Sequence, residues 1–229
     1  MTTQVEPTFN FSGDFSHPIA LKLKNALNDA LNDKHKLSSF ILDMEGMSGK
    51  IYRKFINNFI GSLDDARYLE VGSLKGSTSC SAMYNNTVQI SCIENWHWDY
   101  RKQFSENTQS VINEEIKFQL IEKDFRSVDY NSIGKYNVYM FDGPHTSKDQ
   151  YDGVYCAQPA LDQTYVLIVD DWNWHEVQKG TWSAIEHLEH KVISYIDIFT
   201  TKDGSYPSIA DHYSDWHNGY FIAVLEKKN

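Results

Sequence analysis

From Arg67 onward, strand-length apolar runs alternate with longer amphipathic stretches, and this alternation limits the possible folds more than any other feature. The runs are Tyr68–Val71, Gln89–Glu94, Phe118–Glu122, Val138–Asp142 and Tyr165–Asp170. Helical stretches follow at about Ser77–Tyr84, Tyr100–Asn113, Lys148–Leu161 and Glu176–Lys191. Repeated strand–helix–strand units predict a parallel sheet, because right-handed crossovers bring each strand back into the sheet and leave helices on both faces. The tail departs from this pattern. Val192–Phe199 and Tyr220–Glu226 are separated only by a turn-rich loop, so they should pair antiparallel. The expected architecture is α/β, a doubly wound, mostly parallel seven-stranded sheet with a C-terminal antiparallel strand.

The first quarter of the chain reads as helical. Thr2–Ser16 shows no periodicity and is expected to be a mobile or loosely docked arm. Pro18 can open a helix in which Ile19, Leu23, Leu27 and Leu31 recur every four residues. Ser48 can cap a second helix, with Ile51, Phe55, Phe59 and Leu63 on one face and Gly61 near its end. This divides the chain into an N-terminal arm and helical cap, 1–46, and an α/β domain, 47–229. At 229 residues, such a chain buries enough surface to need neither disulfides nor metals for its core.

Charge and cysteine usage narrow the function. Lys and Arg number 21 against 31 Asp and Glu, a net charge of −10, and no basic patch interrupts the excess, which excludes nucleic acid and anionic membranes as expected partners. Cys80, Cys92 and Cys156 form no C-x-x-C pair, which points to a reducing, cytoplasmic setting. The longest apolar runs, such as Tyr165–Val169 and Tyr220–Leu225, are strand-sized, so neither a leader nor a membrane span is expected.

Ligands of open parallel sheets sit outside the carboxyl ends of the strands, so those ends carry the functional reading. After the first run comes Glu70-Val71-Gly72-Ser73-Leu74-Lys75-Gly76-Ser77, an E-x-G-x-x-x-G turn into a helix start. It matches neither the dinucleotide fingerprint nor the P-loop, and by itself it is equally an ordinary tight turn. The second run ends at Glu94, a carboxylate suited to two ribose hydroxyls or else a surface residue. Asp124-Phe125 follows the third, an acceptor beside a flat ring that suits adenine, or a plain turn. The fourth ends Asp142-Gly143-Pro144-His145 and the fifth Asp170-Asp171-Trp172. Three carboxylates at one sheet mouth repel one another, and hard oxygen donors suit Mg²⁺, Mn²⁺ or Ca²⁺; the alternative is one Asp capping a helix and another solvated.

In this order these features resemble a class I S-adenosylmethionine-dependent methyltransferase, with its Rossmann-like sheet. Asp142-Gly143-x-His145 with Asp170-Asp171 is similar to the metal-dependent sugar O-methyltransferases of the macrocin and mycinamicin type and to cephalosporin-hydroxylase-like proteins. The likeness runs from about Gly46 to Glu226 and departs at Leu161–Thr164, where relatives carry a Pro-Gly-Gly turn. The resemblance implies that Glu70, Gly72, Gly76 and Ser77 hold the methionyl part of the cofactor, Glu94 the ribose, and Asp124 and Phe125 the adenine. Asp142 would lie beside the cofactor and, with Asp170 and Asp171, bind Mg²⁺ or Mn²⁺; His145 would be the general base. The implied acceptor is a hydroxylated small molecule, most simply a sugar.

The chemistry is consistent with these groups. In-line transfer from a sulfonium needs two reactants held in position, an effect worth about 7–11 kcal/mol. A Lewis acid lowers a hydroxyl's pKa, and an imidazole can then take the proton at neutral pH. The rival readings are a non-catalytic cofactor-binding or scaffold protein, and a nicotinamide oxidoreductase, the latter disfavoured by the missing third glycine. Glu186, His187, Glu189 and His190 read as a solvated helix face. Trp172, Trp174 and His175 suit either sugar stacking or the core. The aromatic connection Asp203–Asn218 reads as a substrate lid or a subunit contact, which leaves a homo-oligomer open.

Overall fold

A computed structural model describes residues 6–228. Its sheet contains β1 (Thr8–Gly13), β2 (Arg67–Val71), β3 (Val88–Ile93), β4 (Ile116–Ile121), β5 (Tyr136–Phe141), β6 (Leu161–Asp170), β7 (Lys191–Phe199) and β8 (Tyr220–Glu226). They lie in the order β1-β7-β8-β6-β5-β2-β3-β4. Strands β2 to β6 run parallel, and β8 is antiparallel between β6 and β7. The helices are α1 (Pro18–Leu31), α2 (Ser39–Leu42), α3 (Lys50–Gly61), α4 (Ser77–Met83), α5 (Arg101–Gln109), α6 (Ser147–Cys156) and α7 (His175–His187).

The two-residue period of the strands sorts their side chains into two cores. Tyr68, Val138, Met140, Val166 and Ile168 face α1, α3, α4 and Phe104 of α5. Leu69, Val71, Tyr139, Phe141, Leu167 and Val169 face Val154 of α6 and Val177, Ala184 and Ile185 of α7. Both faces are covered, which is why these strands are apolar without alternation. The chain winds from β2 outward to β4 and then back to β5 on the other side of β2. That reversal opens a crevice between the ends of β2 and β5.

The sheet has eight strands rather than seven. Residues 8–13 of the expected loose arm pair antiparallel with β7, while residues 2–5 lie outside the described residues. The backbone ladder holds β1 with little apolar burial: Phe9 packs edge-on against Trp216, whereas Phe11 stays exposed. A strand held this way leaves almost no hydrophobic trace in sequence. Ser48 does not cap α3, whose N-cap is Gly49; its hydroxyl instead accepts from Arg53 and meets Ser77. Helix α6 stops at Cys156, because Pro159 has no N–H to continue the ladder to Tyr155 O, and Gln158–Ala160 forms a 3-10 turn. Leu161–Thr164 then belongs to β6 itself.

Arg53 fastens α3 to the segment before it. Its fully buried guanidinium donates to the carbonyls of Ile41, Leu42 and Met44 at 3.0, 3.2 and 2.7 Å. All three cysteines are unpaired. Among the described residues, no helix is long and apolar enough to cross a membrane.

Candidate active site

Gly72 follows β2 with φ of +85°, and a Cβ there would stand 1.8 Å from the carbonyl oxygen of Asp142. Only a residue without a side chain lets the turn after β2 lie against the end of β5. Two motifs seventy residues apart in sequence therefore form one crevice. The turn is anchored from β3: Glu94 accepts the N–H of Leu74 at 2.9 Å through one oxygen, and those of Asn95 and Trp96 at 2.9 and 3.0 Å through the other.

Of the remaining residues assigned to the cofactor, Glu70, Gly76, Ser77 and Phe125 are buried and Asp124 is partly exposed. Glu70 is buried between β2 and α4, accepting from Tyr68 at 2.6 Å and from Ser79. Burial outweighs those bonds and raises its carboxyl above the ordinary value. Gly76 is left-handed and starts α4, and Ser77 is buried beneath Gly46 and Ser48. Asp124 caps the 3-10 turn 125–127 by accepting the Arg126 N–H at 2.9 Å. Phe125 is only 4% exposed, with its ring against Phe141 and the Arg126 guanidinium 4.3 Å from its centre.

Asp142, His145 and Asp171 present ligand atoms within 4.8 Å of one another. His145 Nε2 lies 2.8 Å from Asp171 Oδ2, and the imidazole is 45% exposed. Trp174 stands edge-on to it at 4.7 Å, and Tyr206 packs on Trp174. Asp170 is not in this triad. It lies on the same sheet face as Glu70 and Asp142 by strand parity, buried opposite Tyr220 of β8, and accepts the Asp171 N–H at 2.8 Å. Asp171 meets His145 because its backbone leaves the strand in the left-handed region, at φ of +58°.

These carboxyl groups have diverging acidities. Burial, then the charges of Asp171, Glu70 and Glu94, push Asp142 well above the carboxylate range. Burial, then Asp142 and Asp171, do the same to Asp170. Burial also raises Asp171, but the hydrogen bond and charge of His145, with His217 and Asn218, outweigh it and hold the group below its usual value.

Sequence reasoning left His217 and Asn218 inside a loop, with no separate role. Both are buried beside Asp171: Asn218 donates to Asp171 Oδ1 at 2.7 Å, and His217 Nε2 is 3.9 Å from the same oxygen. Nothing in the residue pattern of the loop separates them from their neighbours, of which Ser214 and Trp216 are buried as well. Trp172 is a core anchor, stacked on Phe221 and donating to Asp197 at 2.8 Å, whereas His175 is exposed at the start of α7. Glu186, His187 and Glu189 are exposed, while His190 is half-buried against Tyr165.

No protein-family model and no curated protein sequence matches the chain. Solved structures do share its fold. A Podospora anserina methyltransferase bound to S-adenosylhomocysteine superposes with a TM-score of 0.56 at 11% identity, covering 91% of this chain and 88% of that one. The O-methyltransferase TomG of Streptomyces achromogenes, involved in tomaymycin synthesis and solved with S-adenosylmethionine, gives 0.54 at 12% identity over 90% and 89%. A proposed S-adenosylmethionine-dependent methyltransferase of Streptococcus mutans gives 0.54 at 13% identity over 77% of this chain. This chain spans about half of that protein's length, 48%. The chain has the α/β fold of S-adenosylmethionine-dependent methyltransferases.

Proposed function

We propose that the chain is an S-adenosylmethionine-dependent O-methyltransferase, assisted by a divalent cation, that methylates a hydroxyl of a small molecule, a sugar or glycosylated metabolite. The supporting observation is convergence: the Gly72 turn, Glu94 and the Asp142–His145–Asp171 cluster meet where the strand order reverses. Residues 47–229 form the methyltransferase domain in this reading, and 1–46 its arm and cap.

The residues present fit the cofactor by donor chemistry. Glu94 uses three of about four carboxylate lone-pair directions on backbone N–H groups and keeps one for a ribose hydroxyl. Gly72 and Gly76 keep the turn free of side chains beside the methionyl group, with buried Glu70 and Ser77 bracing it from behind. Asp124, partly exposed at the end of the β4 turn, would take the adenine amine, with Phe125 beneath it.

Asp171 accepts the Nε2–H of His145, which leaves Nδ1 as the basic nitrogen for the acceptor hydroxyl. Trp174 and Tyr206 add aromatic surface beside it, suited to the apolar face of a sugar ring. Asp142 and Asp171, with Asp170 behind them, would hold Mg²⁺ or Mn²⁺, a charge that fits crowded carboxylates, while both nitrogens of His145 stay with Asp171 and the acceptor. When bound, the cation supplies Lewis acidity at the acceptor oxygen. One similar structure is a proposed RNA methyltransferase from Pyrococcus horikoshii, but the net charge of −10 disfavours an RNA acceptor here. Three unpaired cysteines support a cytoplasmic setting.

Calorimetry with S-adenosylmethionine and its demethylated product tests the cofactor, and absence of binding by both overturns the reading. Glu94→Ala should weaken binding by about 10–100-fold, the loss of a charge-assisted hydrogen bond. Labelled-methyl transfer to hydroxylated sugars and phenols, with Mg²⁺ and with chelator, tests the rest. Full rate in chelator removes the cation from the mechanism. Binding without transfer to any acceptor favours the scaffold alternative.

A further inference from the structure

We propose that Asn218 is a positioning residue for His145, acting through Asp171, and that Asn173 and the backbone N–H of Thr200 set the direction of its amide. This rests on His145 being the base.

The argument begins at the foot of the aromatic loop. The Thr200 N–H donates to Asn173 Oδ1 at 3.0 Å. A backbone N–H can only donate, so this contact fixes which end of the Asn173 amide is oxygen. Asn173 Nδ2 must then face the other way, and it donates to Thr200 Oγ1 at 2.8 Å and to Asn218 Oδ1 at 2.9 Å. Asn218 in turn directs its Nδ2 at Asp171 Oδ1, 2.7 Å away. Asp171 is left with Oδ2 for His145 Nε2 at 2.8 Å. Every link has a forced donor and acceptor, and one reversed amide would set two oxygens against each other beside a carboxylate.

Burial makes that direction expensive to lose. Asn218 is fully buried, Asn173 is 3% and Asp171 5% exposed, so water cannot replace a missing partner. His145 is the exposed end, and Asp171 is the polar side chain that holds its ring. The chain therefore runs from a loop residue on the far side of β8 to Asp171 and the imidazole in the crevice, through two amides, Asn173 and Asn218, that touch neither cofactor nor acceptor in the proposed reaction.

The test uses the whole protein without cofactor or acceptor. Imidazole ¹⁵N shifts, recorded across an alkaline pH series until they no longer change, should show His145 as the Nε2–H tautomer. Asn173→Asp still accepts from Thr200 but cannot donate to Asn218, so the Asn218 amide reverses, and its oxygen repels the Asp171 carboxylate and turns Oδ2 away from His145 Nε2. The expected result is a folded variant whose His145 has become a mixture of tautomers, although residue 173 does not touch it. Asn218→Asp should do the same. Wild-type His145 as the Nδ1–H tautomer, or folded variants with the wild-type spectrum, would overturn the proposal. If neither variant folds, the wild-type protein decides: a through-bond coupling from Asn218 Nδ2–H to the Asp171 carboxylate supports it, and its absence refutes it. Once an acceptor is known, Asn173→Asp should lower kcat by about 10–100-fold with cofactor Kd unchanged. Unchanged kcat there would count against the relay, whereas absence of any methyl transfer would count only against the proposed reaction.

Discussion

Replacing Gly72 with alanine should be among the most damaging single-methyl changes available to this fold. Two effects add. The residue sits at φ of +85°, where an added Cβ costs about 1–2 kcal/mol. The same Cβ would lie 1.8 Å from the Asp142 carbonyl oxygen, well inside contact, so the ends of β2 and β5 must part by roughly 1.5 Å. That separation strains the bond that ties the two strand ends, Asp142 N–H to Val71 O at 3.0 Å, worth about 0.5–1.5 kcal/mol. The expected destabilisation is about 1.5–3.5 kcal/mol, a large part of the roughly 5–15 kcal/mol that holds a domain folded. Gly134→Ala is the control: φ there is +101°, but the nearest neighbouring atom is 3.5 Å away, so only the conformational part should appear. Urea unfolding of both variants at constant m-value separates close approach from backbone strain. If Gly72→Ala loses less than about 1 kcal/mol, or no more than Gly134→Ala, the contact between the two strand ends is not what requires glycine.

His145→Ala should lower turnover by about 10²–10⁴ while leaving cofactor affinity nearly unchanged, and a folded variant with normal single-turnover rates would remove His145 as the base. Arg53→Met leaves three carbonyls without their donor and should destabilise by about 2–4 kcal/mol in the same urea assay; near-wild-type stability would mean that water reaches those carbonyls. Burial, then the charge of Lys227, lowers His190 to about 4 from 6.5, so between those values the unfolded chain holds a proton that the folded one refuses. Stability from this group should therefore rise as pH rises from about 4 to about 6.5 and be lost on acidification, and His190→Gln should flatten that slope in denaturation series across the window. A variant with the wild-type slope would assign the pH dependence to other groups.

Much of the layout was legible because its causes are local. Strand-length apolar runs, amphipathic spacing and turn residues act over a few neighbours, so β2 to β8 and their helices could be read from the chain with end-point errors such as α6 running past Pro159. Acidic residues at strand ends were legible for the same reason, and so was the glycine turn, since a strand followed by E-x-G-x-x-x-G names its own place in an open sheet. Local patterns do not specify what a strand end will meet. β1 went unread because its stability comes from a ladder with β7, some 180 residues away, rather than from burial of its own side chains.

The same division runs through the site. Sequence determined that Asp142, Asp170 and Asp171 would gather at one edge of the sheet. Tertiary structure decided which of them faces His145: strand parity turns Asp170 towards Tyr220, and a left-handed residue swings Asp171 out of the strand towards the imidazole. Asn173 and Asn218 acquire their relation to Asp171 only through the register of β6 against β8, which sets two loops side by side across 45 residues of chain. Hydrogen bonds between buried amides depend on distance and direction in space, and neither is encoded in the spacing of residues along the chain.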